Sequence, residues 1–198
     1  MSRQILLVRH PPVADSLRGV CYGSSDVPLA YDGRTRIQEI VAGVLAHTPI
    51  THLVHSGQAR CAAVADAVAA KSGVTPVADT RLRERCFGAW ELRLWDDIHA
   101  ETGDAMMGMV TAPGVWCPPG GETTLGLRDR VLSWYAHLPP TGRIVVVTHG
   151  GPIAALLGTL GGLPVDQWPG LVPACGQIVR LPVATVQPPS CPRARGRS

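Results

Sequence analysis

The chain has 198 residues, 45% of them hydrophobic and 17% charged, which is enough apolar material for one compact domain and too little charge for a disordered polyampholyte. No uncharged apolar run approaches the roughly 18 residues that cross a bilayer, which argues against a membrane protein. The formal charge of +3 is dispersed, with no basic stripe interleaved with aromatics, so nucleic acid is not an expected partner.

In chain order, Met1–Val8 lacks the layout of a secretory signal, and its Ile5-Leu6-Leu7-Val8 run reads as a strand buried on both faces. A loop rich in Gly, Ser, Asp and Pro extends to about residue 32. Ile37, Ile40, Val41, Val44 and Leu45 then recur with the period of an amphipathic helix that Pro49 ends. Leu53-Val54-His55 makes a second strand, followed by an Ala-rich helix from Gln58 to Lys71 that Gly73 closes. Residues 81–121 are irregular and carry three of the five tryptophans.

Leu127, Val131, Tyr135 and Leu138 mark a further helix, and Ile144–Val147 is the clearest buried strand. Ile153, Leu156, Leu157 and Leu160 give one more helical stripe, with Pro152 in its first turn. Gln177–Leu181 reads as a final strand. Repeats and linkers are lacking. The expectation is an α/β fold: one three-layer α/β/α domain over residues 1–187 with a mostly parallel central sheet, and a basic, Pro-containing, disordered tail over residues 188–198.

Of the 18 basic residues, 17 are arginines and only Lys71 is a lysine. Such a count fits coding bias as well as function, so an arginine is informative only through its setting. The six cysteines (21, 61, 86, 117, 175, 191) are far apart, with neither a C-x-x-C pair nor Cys–His zinc spacing. They argue for reduced thiols in a cytoplasmic protein.

Three strand ends share a feature that composition does not explain. The first strand runs into Arg9-His10, the second into His55-Ser56 and then Arg60, and the third into His149. In open α/β sheets the ligand crevice lies beyond the carboxyl ends of the strands, so neighbouring strands would gather Arg9, His10, Arg60 and His149 around one pocket. A lone strand-end histidine is more often structural, and a lone arginine is usually a solvated charge. Four at equivalent topological positions reverse that expectation and suit a doubly charged oxyanion, aided by the helix start at Gly150-Gly151.

These residues resemble the histidine phosphatase superfamily, which includes the phosphoglycerate mutases. The Leu7-Val8-Arg9-His10 run is similar to its Arg-His signature, and Gly23-x-x-Asp26-x-Pro28-Leu29 to its G-x-x-D-x-P-L loop. His55-Ser56-x-x-x-Arg60, Leu82-x-Glu84-x-x-x-Gly88-x-Trp90-Glu91, Pro119-Gly120-Gly121-Glu122-Thr123 and Val147-Thr148-His149-Gly150-Gly151 follow in the family's order. The resemblance implies a phosphoglycerate mutase-like fold and a phosphatase acting on a small phosphorylated metabolite without metal or cofactor. His10 would be the nucleophile, Glu84 the proton donor and acceptor, and His149 the second catalytic imidazole. Arg9, Arg60, Gly23, Ser24 and Gly150 would bind substrate.

The loop from Gly19 to Leu29 looks most like the α-ribazole phosphatase branch, which acts on a 5′-phosphate in cobalamin synthesis. Phosphoglycerate mutase-type transfer and a non-catalytic phospho-ligand module are the alternatives, and a homodimer stays open. A metal-dependent hydrolase built on His10, His55 and His149 is a third class, short of carboxylate ligands. The chain departs from the family at Pro11, where glycine is usual, and at Leu92, which follows Trp90-Glu91 where glycine is often found. The family's Thr/Asn equipment after the Arg-His pair is also missing, with Asp15 or Ser16 as stand-ins. Trp95, Met106, Met107, Met109 and Trp116 line the pocket entrance on one reading and form a small satellite core on another.

Overall fold

The computed structural model describes residues 3–46 and 49–181; the predicted tail lies outside them. In chain order the elements are β1 (Gln4–Arg9), β2 (Val20–Cys21), α1 (Gly33–Leu45), β3 (His52–His55), α2 (Ala59–Ser72) and β4 (Pro76–Ala78). They continue with β5 (Arg93–Leu94), α3 (Trp95–Thr102), α4 (Gly108–Thr111), α5 (Thr124–Ala136), β6 (Arg143–Thr148), α6 (Gly150–Leu160) and β7 (Ile178–Arg180). The main sheet has the order β4-β3-β6-β1-β7, parallel except for β7, which runs antiparallel to β1.

Side chains on a strand point alternately to opposite faces, and the central strands divide their residues accordingly. Ile5, Leu7, Ile144 and Val146 pack with Leu127 and Val131 of α5 and Ile153 and Leu156 of α6. Leu6, Val8, Val145 and Val147 pack on the other face with Ile37 and Val41 of α1 and Val64 and Val68 of α2. Both faces of β6 are therefore dry, as its continuous apolar run requires. The predicted three layers follow from this division. Gly73 stops α2 in the left-handed region at φ +73, donating its N–H to the Ala69 carbonyl at 2.8 Å.

Two features lie beyond what the sequence patterns revealed. β4 is a three-residue edge strand that begins with Pro76, a composition that gives no strand signal. The antiparallel pair β2–β5 is two residues long on each side and covers a third cluster of Cys21, Trp90 and Ile98 with Phe87, Trp95 and Trp116. Trp95 and Trp116 thus belong to a satellite core, whereas the three methionines line a cavity described below.

Helix α6 carries a close contact that tests the packing. A Cβ added at Gly158 would stand 2.3 Å from both Cδ1 and Nε1 of Trp168. Alanine would recover up to about 1 kcal/mol of helix propensity but force an overpacked indole at a cost of about 1–3 kcal/mol. We therefore expect Gly158→Ala to lower the urea unfolding free energy by about 1 kcal/mol; an unchanged midpoint would show that Trp168 yields freely.

Candidate active site

The β1–β6 register places Arg9 opposite Thr148 and that of β3–β6 places His55 opposite Val147. The chain therefore leaves three neighbouring strands at the same level. His10 donates its backbone N–H to the Thr148 carbonyl at 3.1 Å, and Ser56 donates to the Val147 carbonyl at 3.2 Å. The His10 and His149 rings meet with centroids 5.1 Å apart and planes inclined at 59°. Both side chains are fully buried.

The tautomer of His10 is set by its neighbour. Nδ1 lies 2.6 Å from the Pro11 carbonyl, which can only accept, so Nδ1 carries the proton and Nε2 the lone pair. Pro11, although it lacks the N–H that a glycine would offer, supplies the acceptor that orients the ring. Burial, then the Arg60 charge, then Arg9 push the His10 pKa down to about 3, against the opposing pull of the Pro11 bond. His149 is likewise held well below the ordinary histidine value, first by burial and then by the Arg60 charge. Its Nε2 is 2.8 Å from Ser56 Oγ and 3.4 Å from Cys61 Sγ.

The two arginines are fixed by backbone carbonyls. Arg9 Nη1 donates to Pro173 O at 2.6 Å, while Arg60 Nη1 and Nη2 donate to Ser25 O at 2.8 Å and Gly23 O at 2.7 Å. The Nε groups of both are buried and have no partner within the protein. A buried unsatisfied guanidinium donor is costly, and an anion beside both histidines would satisfy it. Tyr22 flanks Arg60, whose Cζ is 5.3 Å from the phenol ring centroid.

Glu84 is half-buried at the same end of the sheet. Its Oε1 accepts from Arg85 N–H at 2.9 Å and its Oε2 from Gly151 N–H at 3.3 Å, two residues past His149. The segment that presents it is clamped by Arg130, which donates to the carbonyls of Arg81 and Arg83 at 2.7 Å and Glu84 at 3.2 Å. Glu122 holds that guanidinium in turn, at 2.6 Å.

Of the remaining predicted substrate contacts, Gly150 opens α6 against Arg9, where a Cβ would stand 3.4 Å from the guanidinium carbon. Gly23 and Ser24 lie in the loop that holds Arg60. The Gly23 carbonyl is committed to Arg60, and the Ser24 N–H and hydroxyl both donate to Glu91 Oε1, at 2.9 and 2.7 Å. Asp15 and Ser16 sit in an exposed turn. His55 accepts from the Gly57 N–H at 3.2 Å, and burial lowers its pKa against the opposing pull of Asp66 in α2.

Sequence reasoning quoted Glu91 without giving it work. Its carboxylate gathers Ser24, the Ser25 hydroxyl and the Phe87 N–H, so one side chain shapes the loop that holds Arg60. Gln58 was missed too: it accepts from Glu84 N–H at 2.9 Å and donates to Ser24 O at 3.1 Å. Leu92, which follows Glu91, has φ +65, the left-handed conformation that explains why glycine is frequent there.

With this geometry in view, comparison with known proteins places the chain. The histidine phosphatase superfamily (branch 1) matches residues 5–185, and the chain belongs to that family. It is 32% identical over 182 residues to a glucosyl-3-phosphoglycerate phosphatase from Mycolicibacterium vanbaalenii, covering 85% of this chain and 79% of that protein. Among solved structures it resembles a mycobacterial glucosyl-3-phosphoglycerate phosphatase complexed with VO3, with a TM-score of 0.79, 28% identity and coverage of 91% and 93%. The α-ribazole phosphatase from Shigella flexneri shares the fold, with a TM-score of 0.76 at 22% identity and coverage of 92% and 91%. The chain is thus a histidine phosphatase superfamily phosphatase. Among the described residues, no helix is long and apolar enough to cross a membrane.

The depressed histidine pKa values have a signed consequence for stability. Below about pH 6.5 the unfolded chain takes up protons that His10 and His149 cannot accept while folded, so their contribution is complete above 6.5 and is lost as pH falls, for His10 down to about 3. For His10 this should cost about 2 kcal/mol of unfolding free energy between pH 7 and pH 5. Urea titrations at both pH values should show a steep loss in the parent and a loss smaller by that amount in His10→Asn; equal slopes would mean that His10 is protonated in the folded state.

Proposed function

We propose that the chain hydrolyses a phosphomonoester through a phosphohistidine on His10. The observation that carries this reading is a neutral His10 with Nε2 unprotonated, beside two arginines whose buried Nε donors have no partner. The Nε2 lone pair attacks phosphorus along the line opposite the ester oxygen. As the P–O bond breaks, protonated Glu84 gives its proton to the leaving oxygen, and the alcohol departs. Glu84, now ionised, takes a proton from a water whose oxygen attacks the phosphohistidine. Inorganic phosphate leaves and His10 returns to its starting form. Arg9, Arg60 and His149 hold the phosphoryl oxygens through the charge shift, which is the larger part of catalysis in this chemistry.

Two organic halves are candidates. The loop Gly19–Leu29 supports α-ribazole 5′-phosphate, and the 32% identical relative supports glucosyl-3-phosphoglycerate. A panel of phosphorylated metabolites that includes both decides between them.

The mechanism itself is tested by two variants. His10→Ala should lose at least about a thousandfold in kcat on p-nitrophenyl phosphate and fail to form an acid-labile phosphoenzyme in rapid-quench labelling. Glu84→Gln should lose about a hundredfold or more on alkyl phosphates but less than about tenfold on p-nitrophenyl phosphate, whose leaving group hardly needs a proton. Equal losses on both substrates would remove Glu84 from the acid role.

A further inference from the structure

A cavity of about 340 Å³ lies beside the phosphoryl grip, within the size range of small-molecule sites. Its walls include Phe87, Met109, Leu127, Ala155, Trp168 and Val172, and Met106 and Met107, 42% and 55% exposed, form its lip. Among the described residues lining it, only Arg85, Thr124 and Trp168 carry a side-chain nitrogen or oxygen. Each is already bonded within the protein. Arg85 Nη2 donates to Thr124 Oγ1 at 3.1 Å, Thr124 Oγ1 to the Met109 carbonyl at 2.7 Å, and Trp168 Nε1 to the Leu163 carbonyl at 3.0 Å. A polyhydroxylated group placed here would give up its water for walls that offer its hydroxyls little in return.

Two glycines join this cavity to the site. Gly151 lines it, and a Cβ on Gly151 would stand 2.3 Å from Glu84 Oε1 on one side and 3.3 Å from Leu127 Cδ2 on the other. A Cβ on Gly150 would stand 2.8 Å from Val172 Cγ1 and 3.4 Å from the Arg9 guanidinium carbon. The carboxylate and the guanidinium thus adjoin the apolar walls at two positions where no side chain intervenes. A group esterified to a phosphate held by Arg9, and leaving past Glu84, has this chamber as its neighbour.

We propose that the chamber receives the alcohol half of the substrate and selects for an apolar, aromatic-bearing group. The assignment rests on the phosphatase reading above. Methionine thioethers pack adaptably against aromatic faces, which suits a lip of Met106 and Met107. The Arg85 guanidinium lies 5.9 Å from the Phe87 ring centroid, so the one charge on the wall already faces a π-surface.

The test compares alcohols of similar acidity, so that leaving-group chemistry does not decide the result. The substrates are 2-phenylethyl phosphate, glycerol 3-phosphate and 3-phosphoglycerate. The kcat/KM for 2-phenylethyl phosphate should exceed that for either polar ester by about tenfold or more. A smaller preference, with turnover still abolished in His10→Ala, overturns the chamber assignment and leaves the phosphatase reading standing. Met107→Glu and Val172→Asp, both at exposed positions, should each cut the preference at least about fivefold; an unchanged ratio in both overturns the assignment. If no phosphomonoester is turned over, the phosphatase reading fails, and the chamber is judged by calorimetry alone. In that case 2-phenylethylphosphonate should bind about tenfold tighter than methylphosphonate, and equal affinities would overturn the proposal.

Discussion

Two imidazoles 5.1 Å apart at the ends of adjacent parallel strands are the constraint on which the rest of the molecule depends. Their separation is set by the β1–β6 register, and that register is set by a strand with no polar face. A one-residue slip would exchange the two dry cores and carry every inward side chain to the wrong layer. Because Leu6, Val8, Val145 and Val147 pack on one face and Ile5, Leu7, Ile144 and Val146 on the other, the sheet cannot make that slip cheaply. The hydrophobic pattern therefore holds the site geometry.

Electrostatics then decides what this geometry can do. His10 and His149 are kept neutral first by burial and then by the charge of Arg60. Among the described residues neither Arg9 nor Arg60 forms an ion pair with a carboxylate. Their positive charge is held instead by the backbone carbonyls of Gly23, Ser25 and Pro173, dipoles that orient a guanidinium without neutralising it. The pocket keeps its field for an incoming anion, and His10 Nε2 keeps its lone pair.

Much of this was legible in the sequence, for identifiable reasons. Arg9, His10 and His149 abut unbroken apolar runs, and Arg60 opens the helix that follows the His55-Ser56 turn, so strand neighbourhood alone gathers them. Glu84 was found only through the family motif, because its segment is irregular and is held by the distant Arg130 and Glu122. Glu91 and Gln58 act through hydrogen bonds spanning 67 and 26 residues, and no local periodicity reports such links. The role of Pro11 was hidden for the opposite reason. Attention falls on the N–H that proline lacks, whereas the working group is the carbonyl it retains. The methionines and tryptophans of residues 92–121 are similar in composition, and only the folded chain separates the cavity lip from the satellite core.

Arg9 and Glu84 adjoin the apolar chamber at two glycines with no side chain between, and this shapes how such a protein can diversify. A side chain at position 150 would strike Val172 and one at 151 would strike Glu84, so drift there is blocked by packing. One helical turn further on, Ala154 and Ala155 face only the chamber and the core. Exchanges at those two alanines can widen, narrow or reshape the space for a new metabolite while the reacting atoms stay where they are. A lineage carrying this arrangement is free to change its diet without relearning how to cut.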